Sequence, residues 1–465
     1  MQDTPTLPDT GLVDRLASAL PPEALLTGDA IGPRYQEDRR DRFSARPQFV
    51  LRPADTAQTA TALALCHEAG QPLVIQGGRT GLSGAHRIAN GEAVLSLERM
   101  TDVGKVDMDS ATVLAGAGAP LQMVQTAAQD AGLFFGVDIG SRGTATIGGN
   151  IATNAGGIRV LRYGMFRAQV AGLETVLADG TVLSSLRGLA KDNTGYDLNQ
   201  LFIGAEGTLG VVTRALLHLH PRPQTELNAL LAMPSLPAAL ALLQRARQGL
   251  GDVLSAFEVM WKDTYFGICA HQNRQPPLGT EAPFYVLIEC QSADAGPAVA
   301  ERFTDVLMRA LEDDLALDAI VSQSNREFDT LWDIRDGAAD FVRGLDGVAN
   351  GDISVPINRI EAFAQASQTA LRRIDPDAGF YMFGHLGDGN LHYVFTTQDK
   401  PAALEKLYAL TAEHGGSISA EHGIGVDKKP WLGLSRSPQE LAVMRQLKRS
   451  FDPKTILNRG RLFDL

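Results

Sequence analysis

Apolar and polar positions change their spacing several times along the chain, and each change marks an element. Residues 55–70 read as one helix. Asp55 can accept from the first unpaired N–H groups, Ala and Leu fill the interior, and Gly70 followed by Pro72 ends it. The apolar run Leu73-Val74-Ile75 predicts a strand, as do Ala93 to Leu97 and Thr112 to Ala115, and Leu121 to Asp130 predicts a second helix. Val170 to Leu177 and Thr181 to Leu183 flank Asp179-Gly180, which supplies the positive φ of a tight hairpin. The proline pair of His218-Leu-His-Pro-Arg-Pro223 cannot continue a central strand, so a domain boundary is placed there. Beyond it, a helix (Pro237 to Arg247), a strand (Phe284 to Glu289), a helix (Val299 to Leu311) and further strands predict a second unit. The residues after about 415 read as helical with polar ends. Irregular alternation of strands and helices predicts α+β layers rather than a regular βαβ array.

Length and composition narrow the function. A chain of 465 residues should hold two or more cores, and 44% hydrophobic with 21% charged residues argues against long disorder. The formal charge of −12 argues against a chain-wide phosphate-backbone footprint, so nucleic acid is not an expected partner. Cys66, Cys269 and Cys290 have no C-x-x-C spacing and read as reduced, buried thiols. The N-terminal thirty residues lack a basic stretch followed by an apolar core, and no run of eighteen apolar residues occurs. A cytoplasmic protein without a membrane span is expected. Glu37 to Arg42 (EDRRDR) reads as a solvated charge run.

Glycine placement is informative. Segments 77–84, 136–164, 384–389 and 415–425 hold 4, 8, 3 and 4 of the 47 glycines. Glycine recurs where backbone takes positive φ or approaches a ligand closely, although any one cluster alone is equally a set of turns. Gln76-Gly-Gly-Arg-Thr-Gly-Leu-Ser-Gly84 follows a strand and could cradle an anion with backbone N–H groups. It has neither the Gly-Lys-Ser/Thr ending of a Walker loop nor the spacing of a Rossmann turn. Gly136 to Gly157 is dominated by Gly, Ala, Ser and Thr, a strip against which a large flat ligand could lie.

A second constellation lies in Phe380-Tyr-Met-Phe-Gly-His385-Leu-Gly-Asp-Gly-Asn-Leu-His392-Tyr-Val-Phe395. Apolar runs flank Asp388-Gly389. If those two residues form the turn, His385 and His392, each three positions from it, stand directly opposite on one face. Two imidazoles there suit a divalent metal, or are simply half-exposed turn histidines. Ser419-Ala-Glu421-His422-Gly423 adds a carboxylate and a third imidazole, and two His with one carboxylate leave coordination positions open.

Taken together, the strand with Gln-Gly-Gly-Arg-Thr-Gly-Leu, then Ile-Gly-Gly-Asn-Ile-Ala-Thr-Asn-Ala-Gly-Gly, Arg159…Tyr163-Gly164 and Gly204-Ala-Glu-Gly-Thr-Leu-Gly-Val211 closely resemble the FAD-binding domain of the vanillyl-alcohol-oxidase-like flavoproteins. With the C-terminal motifs, the sequence resembles the D-2-hydroxyacid dehydrogenase branch, which includes D-lactate and D-2-hydroxyglutarate dehydrogenases. The resemblance runs from about residue 43 to the C-terminus. It implies a two-domain α+β, PCMH-type fold: an N-terminal helical segment (1–42), a FAD-binding domain (43–222), an antiparallel-sheet substrate or cap domain (223–410) and a C-terminal segment (411–465) packing back on the FAD domain.

The same resemblance implies noncovalent FAD, His86 lying beyond the usual attachment position. Gln76, Gly77, Gly78, Arg79, Thr80, Gly140, Ser141, Gly143, Thr144 and Thr146 would wrap the pyrophosphate, with Gly81 and Leu82 also in the cofactor site. Gly149, Asn150, Ala152, Thr153, Asn154, Gly156 and Gly157 would line the flavin, with Gly207, Val211 and Asn458 also in the cofactor site. His385, His392 and Glu421 match residues that bind zinc, Asn390 and His422 match residues that contact substrate, and Arg335 matches the substrate-carboxylate arginine. Ala339 and Asn350 stand where the hydroxyglutarate enzymes usually have Thr and Lys for a distal carboxylate, leaving the particular D-2-hydroxyacid open. With no redox cysteine pair or iron–sulfur spacing, electrons would pass to an electron-transfer flavoprotein, a quinone or a cytochrome. A homodimer is an open possibility. An oxidase using O₂, a flavin-free metal hydrolase and a non-catalytic flavin-binding subunit are the rival readings.

Overall fold

Capping and turn chemistry set most element ends in the computed structural model, which describes residues 10–36 and 45–465. The charge run Glu37 to Arg42 lies outside the described residues. Helix α1 (Thr56–Ala69) starts where the Asp55 side chain accepts from the Gln58 N–H and stops at Gly70, φ 69°. Strand β1 (Leu73–Gln76) follows, then β2 (Ala93–Ser96), β3 (Thr112–Gly116) and α2 (Leu121–Asp130). Helix α3 (Ile147–Thr153) is capped by Thr146, and β4 (Val170–Val176) and β5 (Val182–Ser184) form the Asp-Gly hairpin, Gly180 having φ 89°. Strand β6 is Val211–His218.

Contacts divide the chain into two units. The first comprises Met1–Gly156, Met165–Pro221 and Glu421–Leu465. Parallel β1 and β2 and the short strands Leu25–Leu26 and Val50–Leu51 form one sheet, and β3, β6, β4 and β5, in that order, form an antiparallel second. Residues from both sheets and from α1, α2 and α3, such as Leu63, Leu95, Val124, Ile147 and Leu217, share one apolar core. Only Pro438–Phe451 and short turns are helical in the final stretch, whose remainder is held by side chains such as Lys448, buried and bonded to Thr208 O, Leu457 O and Asp452. The expected helical tail is therefore mostly irregular chain, because side-chain hydrogen bonds replace the helical ladder.

The second unit comprises Gly157–Gly164 and Arg222–Ala420. Its seven-stranded antiparallel sheet contains β7 (Thr225–Met233), β8 (Leu254–Trp261), β9 (Phe284–Ser292), β10 (Asp318–Val321), β11 (Val348–Ser354), β12 (Phe383–His385) and β13 (Asn390–Thr396). Their order is β10-β7-β9-β8-β12-β13-β11. Helix α4 (Asn325–Asp336), capped by Ser324, contributes Leu331, Trp332 and Ile334 to a core with Met260, Tyr285 and Phe383. Cys66, Cys269 and Cys290 are free and buried, and burial pushes the Cys66 thiol up to about 12, so none is a thiolate at neutral pH. No helix among the described residues is long and apolar enough to cross a membrane.

Candidate active site

In the first unit, the two glycine-rich segments meet backbone to backbone. A Cβ on Gly78 would stand 2.0 Å from Thr144 O, and one on Gly77 would stand 2.5 Å from Thr146 Oγ1. Side chains are therefore excluded where the turn after β1 approaches residues 144–149, which is why both segments need glycine. Arg79 and Asn154 adopt left-handed φ, 54° and 49°. Gln76 is buried and donates through Nε2 to Tyr35 O and His86 O, while its buried Oε1 has no partner; Asn150 likewise has a buried Nδ2 without one. Orphaned buried amide atoms beside a bed of bare backbone fit a large polar cofactor.

In the second unit, the predicted histidine hairpin forms with a different register. Phe383, not His385, pairs with His392, and the connection is Leu386–Gly389, with the N–H groups of Asp388 and Gly389 both donating to His385 O. Asp388-Gly389 is thus the end of a four-residue loop, because the ladder starts earlier: Gly384 lies so close to the partner strand that a Cβ on it would stand 2.3 Å from Asn390 O. A shift of two residues keeps the face. His385 and His392 remain neighbours on it, ring centroids 5.3 Å apart and planes 78° to one another.

Each imidazole has a carboxylate behind it. His385 Nδ1 lies 2.6 Å from Glu258 Oε1 across the β8–β12 ladder, and His392 Nδ1 lies 3.7 Å from Asp352 Oδ1 across β11–β13. At His385 the carboxylate hydrogen-bonded to Nδ1 assigns Nε2 the role of ligand atom, the arrangement found behind metal-binding histidines; at His392 the carboxylate stands off at ion-pair distance, and the two imidazoles together suit a divalent cation. Burial works against ionising Glu258, but His385 and Arg335 outweigh it and hold its carboxyl below the usual range.

Arg335, on the last turn of α4, is buried and donates through Nε to Glu258 Oε2 at 2.7 Å, with its guanidinium 4.7 Å over the Phe383 ring. Nη1 and Nη2 make no hydrogen bond to the described residues, which leaves the fork available to a carboxylate. Asn390 donates through Nδ2 to Asp352 Oδ1 and Ile353 O, both at 3.0 Å, and its buried Oδ1 has no partner. Trp332, one turn before Arg335, donates to Glu289, a second buried carboxylate that also takes Arg159 and Ser255.

Comparison with known proteins supplies the chemistry of this pair of beds. Residues 47–185 match the FAD binding domain and residues 222–462 match the C-terminal domain of FAD linked oxidases. The D-2-hydroxyglutarate dehydrogenase of Stutzerimonas stutzeri is 35% identical over 98% of this chain and 99% of its own length. The mitochondrial D-2-hydroxyglutarate dehydrogenase of Bos taurus is 40% identical over 88% and 76%. The chain belongs to the FAD-linked D-2-hydroxyacid dehydrogenase family. Its fold is shared with p-cresol methylhydroxylase, TM-score 0.77 at 14% identity over 98% of this chain and 96% of that one.

For this dehydrogenase, the residues expected at the site fall into two groups. Gln76 to Leu82, Gly140 to Gly156, Gly207, Val211, Asn458, Glu421 and His422 belong to the first unit; Gly157, Arg335, His385, Asn390 and His392 belong to the second. Asn458 is a clamp: Oδ1 accepts from Ile75 N–H and Nδ2 donates to Glu206 O, joining β1 to the Gly204–Gly207 turn. The chain is tied down on either side of Glu421 and His422. Ser417 exchanges two hydrogen bonds with Ser354, and the Ala420 N–H, one residue before Glu421, donates to Asp352 O. After them, Ser83 Oγ donates to the carbonyls of His422 and Gly423, and the buried Glu206 carboxylate accepts from the N–H groups of Ile424 and Gly425.

Five of these residues escaped the sequence reading: Ser83, Glu206, Glu258, Glu289 and Asp352. A signal existed for two. Glu258 in Leu254-Ser-Ala-Phe-Glu-Val-Met-Trp261 and Glu289 in Phe284-Tyr-Val-Leu-Ile-Glu289 are single acids in otherwise apolar strands. A charge in a buried strand needs a fixed partner, and such positions flag a network.

Proposed function

We propose that the protein oxidises D-2-hydroxyglutarate or a close D-2-hydroxyacid to the 2-oxoacid. The observation that carries this is the Arg335 fork, open at Nη1 and Nη2, on the same buried carboxylate as the imidazole of His385, with the unpartnered Oδ1 of Asn390 on β13, the strand that pairs with that of His385. Bound FAD supplies the acceptor for the hydride from the substrate Cα. His385, His392 and Glu421 would hold a divalent cation, zinc by family resemblance, whose contribution is Lewis-acid polarisation of the hydroxyl. Arg335 binds the α-carboxylate bidentately, Asn390 orients the acid, and His422 takes the hydroxyl proton, imidazole being the side chain that titrates nearest neutral pH. By family resemblance, the electrons would leave the protein for an external carrier, an electron-transfer flavoprotein, a quinone or a cytochrome.

A substrate with a single carboxylate is the second reading, favoured by Ala339 and Asn350 at the positions noted above. Anaerobic bleaching of the flavin near 450 nm by D- and L-lactate, malate, 2-hydroxyglutarate and longer hydroxyacids, with and without chelator, tests both. Bleaching by the D-acids alone, abolished by chelator, is the expected result. Indifference to chelator would remove the metal from the mechanism, and preference for D-lactate over D-2-hydroxyglutarate would establish the second reading.

A further inference from the structure

Glu258 contacts the rear atom of two groups and touches the front of neither. Its Oε1 faces His385 Nδ1 at 2.6 Å and its Oε2 takes Arg335 Nε at 2.7 Å. Those contacts come from different elements: His385 lies on the neighbouring strand β12, directly across the ladder, and Arg335 on α4. What remains on each partner is the part that does chemistry, Nε2 on the imidazole and the Nη1/Nη2 fork on the guanidinium. A fully buried carboxylate in an apolar strand is costly to desolvate, and only well-placed partners offset that cost. Core packing alone would be served better by an apolar residue.

Glu289 gives the contrast. It is equally buried on the adjacent strand β9, and it receives Arg159 through two nitrogens, Ser255 and Trp332. Of those donors, none is among the residues assigned to metal or substrate. The two acids are alike in burial and differ in what they hold.

We propose that Glu258 is a positioning residue shared by metal and substrate: one buried carboxylate orients His385 for the cation and Arg335 for the substrate carboxylate, so that both affinities depend on it. This rests on the reading of His385 as a ligand and Arg335 as the carboxylate fork. Glu258→Gln keeps the shape but removes the negative charge that both partners face, and it turns one oxygen into a donor that opposes Nδ1–H or Nε–H. Zinc affinity, measured by chelator competition, should fall about 10- to 100-fold, the scale found for residues behind metal-binding histidines. The KM for the hydroxyacid should rise about tenfold while the FAD content per chain is unchanged. Glu289→Gln should lower the melting temperature and move neither constant.

Loss of only one affinity in Glu258→Gln, or of neither, would overturn the shared role, as would an equal loss of both in Glu289→Gln. If Glu258→Gln yields no folded protein, Glu258→Asp keeps the charge but is one methylene too short to reach both partners. It should show at least a tenfold loss in one affinity, and wild-type values for both would overturn the proposal. Wild-type protein that binds no zinc would instead sink the ligand reading, a failure visible before any variant is made.

Discussion

Arg335 and His422 carry separate parts of the chemistry, and their variants should separate in kinetics. Arg335→Lys replaces a planar fork by a point charge that cannot hold Glu258 and a substrate carboxylate in the same geometry. Charge-assisted hydrogen bonds contribute roughly 1.5–3 kcal/mol, so KM should rise about 10- to 100-fold with FAD retained, measured by steady-state assay and absorbance. His422→Asn removes the proposed base and leaves the FAD bed intact. Flavin reduction in a single-turnover stopped-flow experiment should slow by about two decades or more, the scale of general-base catalysis. An unchanged rate would take the proton from His422 and assign it elsewhere. The residue scale also shows what a sequence can carry: the chemical identity of Arg335, Asn390 and His422 was legible, but the atoms they leave unpaired depend on partners such as Glu258, 77 residues before Arg335 and 127 before His385.

Elements are governed by backbone proximity. The turn after β1 and residues 144–149 touch with no room for a Cβ at Gly78, so Gly78→Ala should push the two segments apart. The expected product is colourless, folded protein, read from absorbance near 450 nm and a cooperative melting transition. Glu206 adds a pH dependence. It has φ 49° and is buried; desolvation raises its carboxyl above the usual range, against the opposing pull of the Ile424 and Gly425 N–H groups and of Lys428. A raised carboxyl binds its proton more tightly in the folded chain, so its contribution to stability is full below the unfolded value of about 4.3 and declines as pH rises through the folded one. The melting temperature of Glu206→Gln should therefore gain on wild type as pH is raised from 4 upward. A constant difference between the two would assign the pH dependence to other groups.

At the scale of the whole molecule, a chain of formal charge −12 must admit an anionic acid. Long-range repulsion is screened beyond about 10 Å at 0.1 M salt, whereas the Arg335 fork acts at contact. kcat/KM should therefore rise, by no more than a few-fold, between about 0.01 and 0.15 M salt at constant pH; a steep fall would show that attraction by local cations dominates the approach. The two units each own a core, and the family match spans both.

Much of this was written in local pattern. Helix α2 runs over Leu121–Asp130 as its apolar spacing indicates, α1 starts at its Asp55 cap, and the Asp179-Gly180 hairpin forms, because caps, turns and periodicity act between residues a few positions apart. The glycine clusters likewise announced where backbone would be bare. Tertiary structure alone decided the Phe383–His392 register, which the Asp-Gly signal misplaced by two residues, since pairing follows close contact along the whole ladder rather than the turn dipeptide. It also decided which acids stand behind the imidazoles and the arginine. Glu258 and Asp352 meet their partners across strands far apart in the chain, and burial, not neighbouring sequence, makes those pairings obligatory.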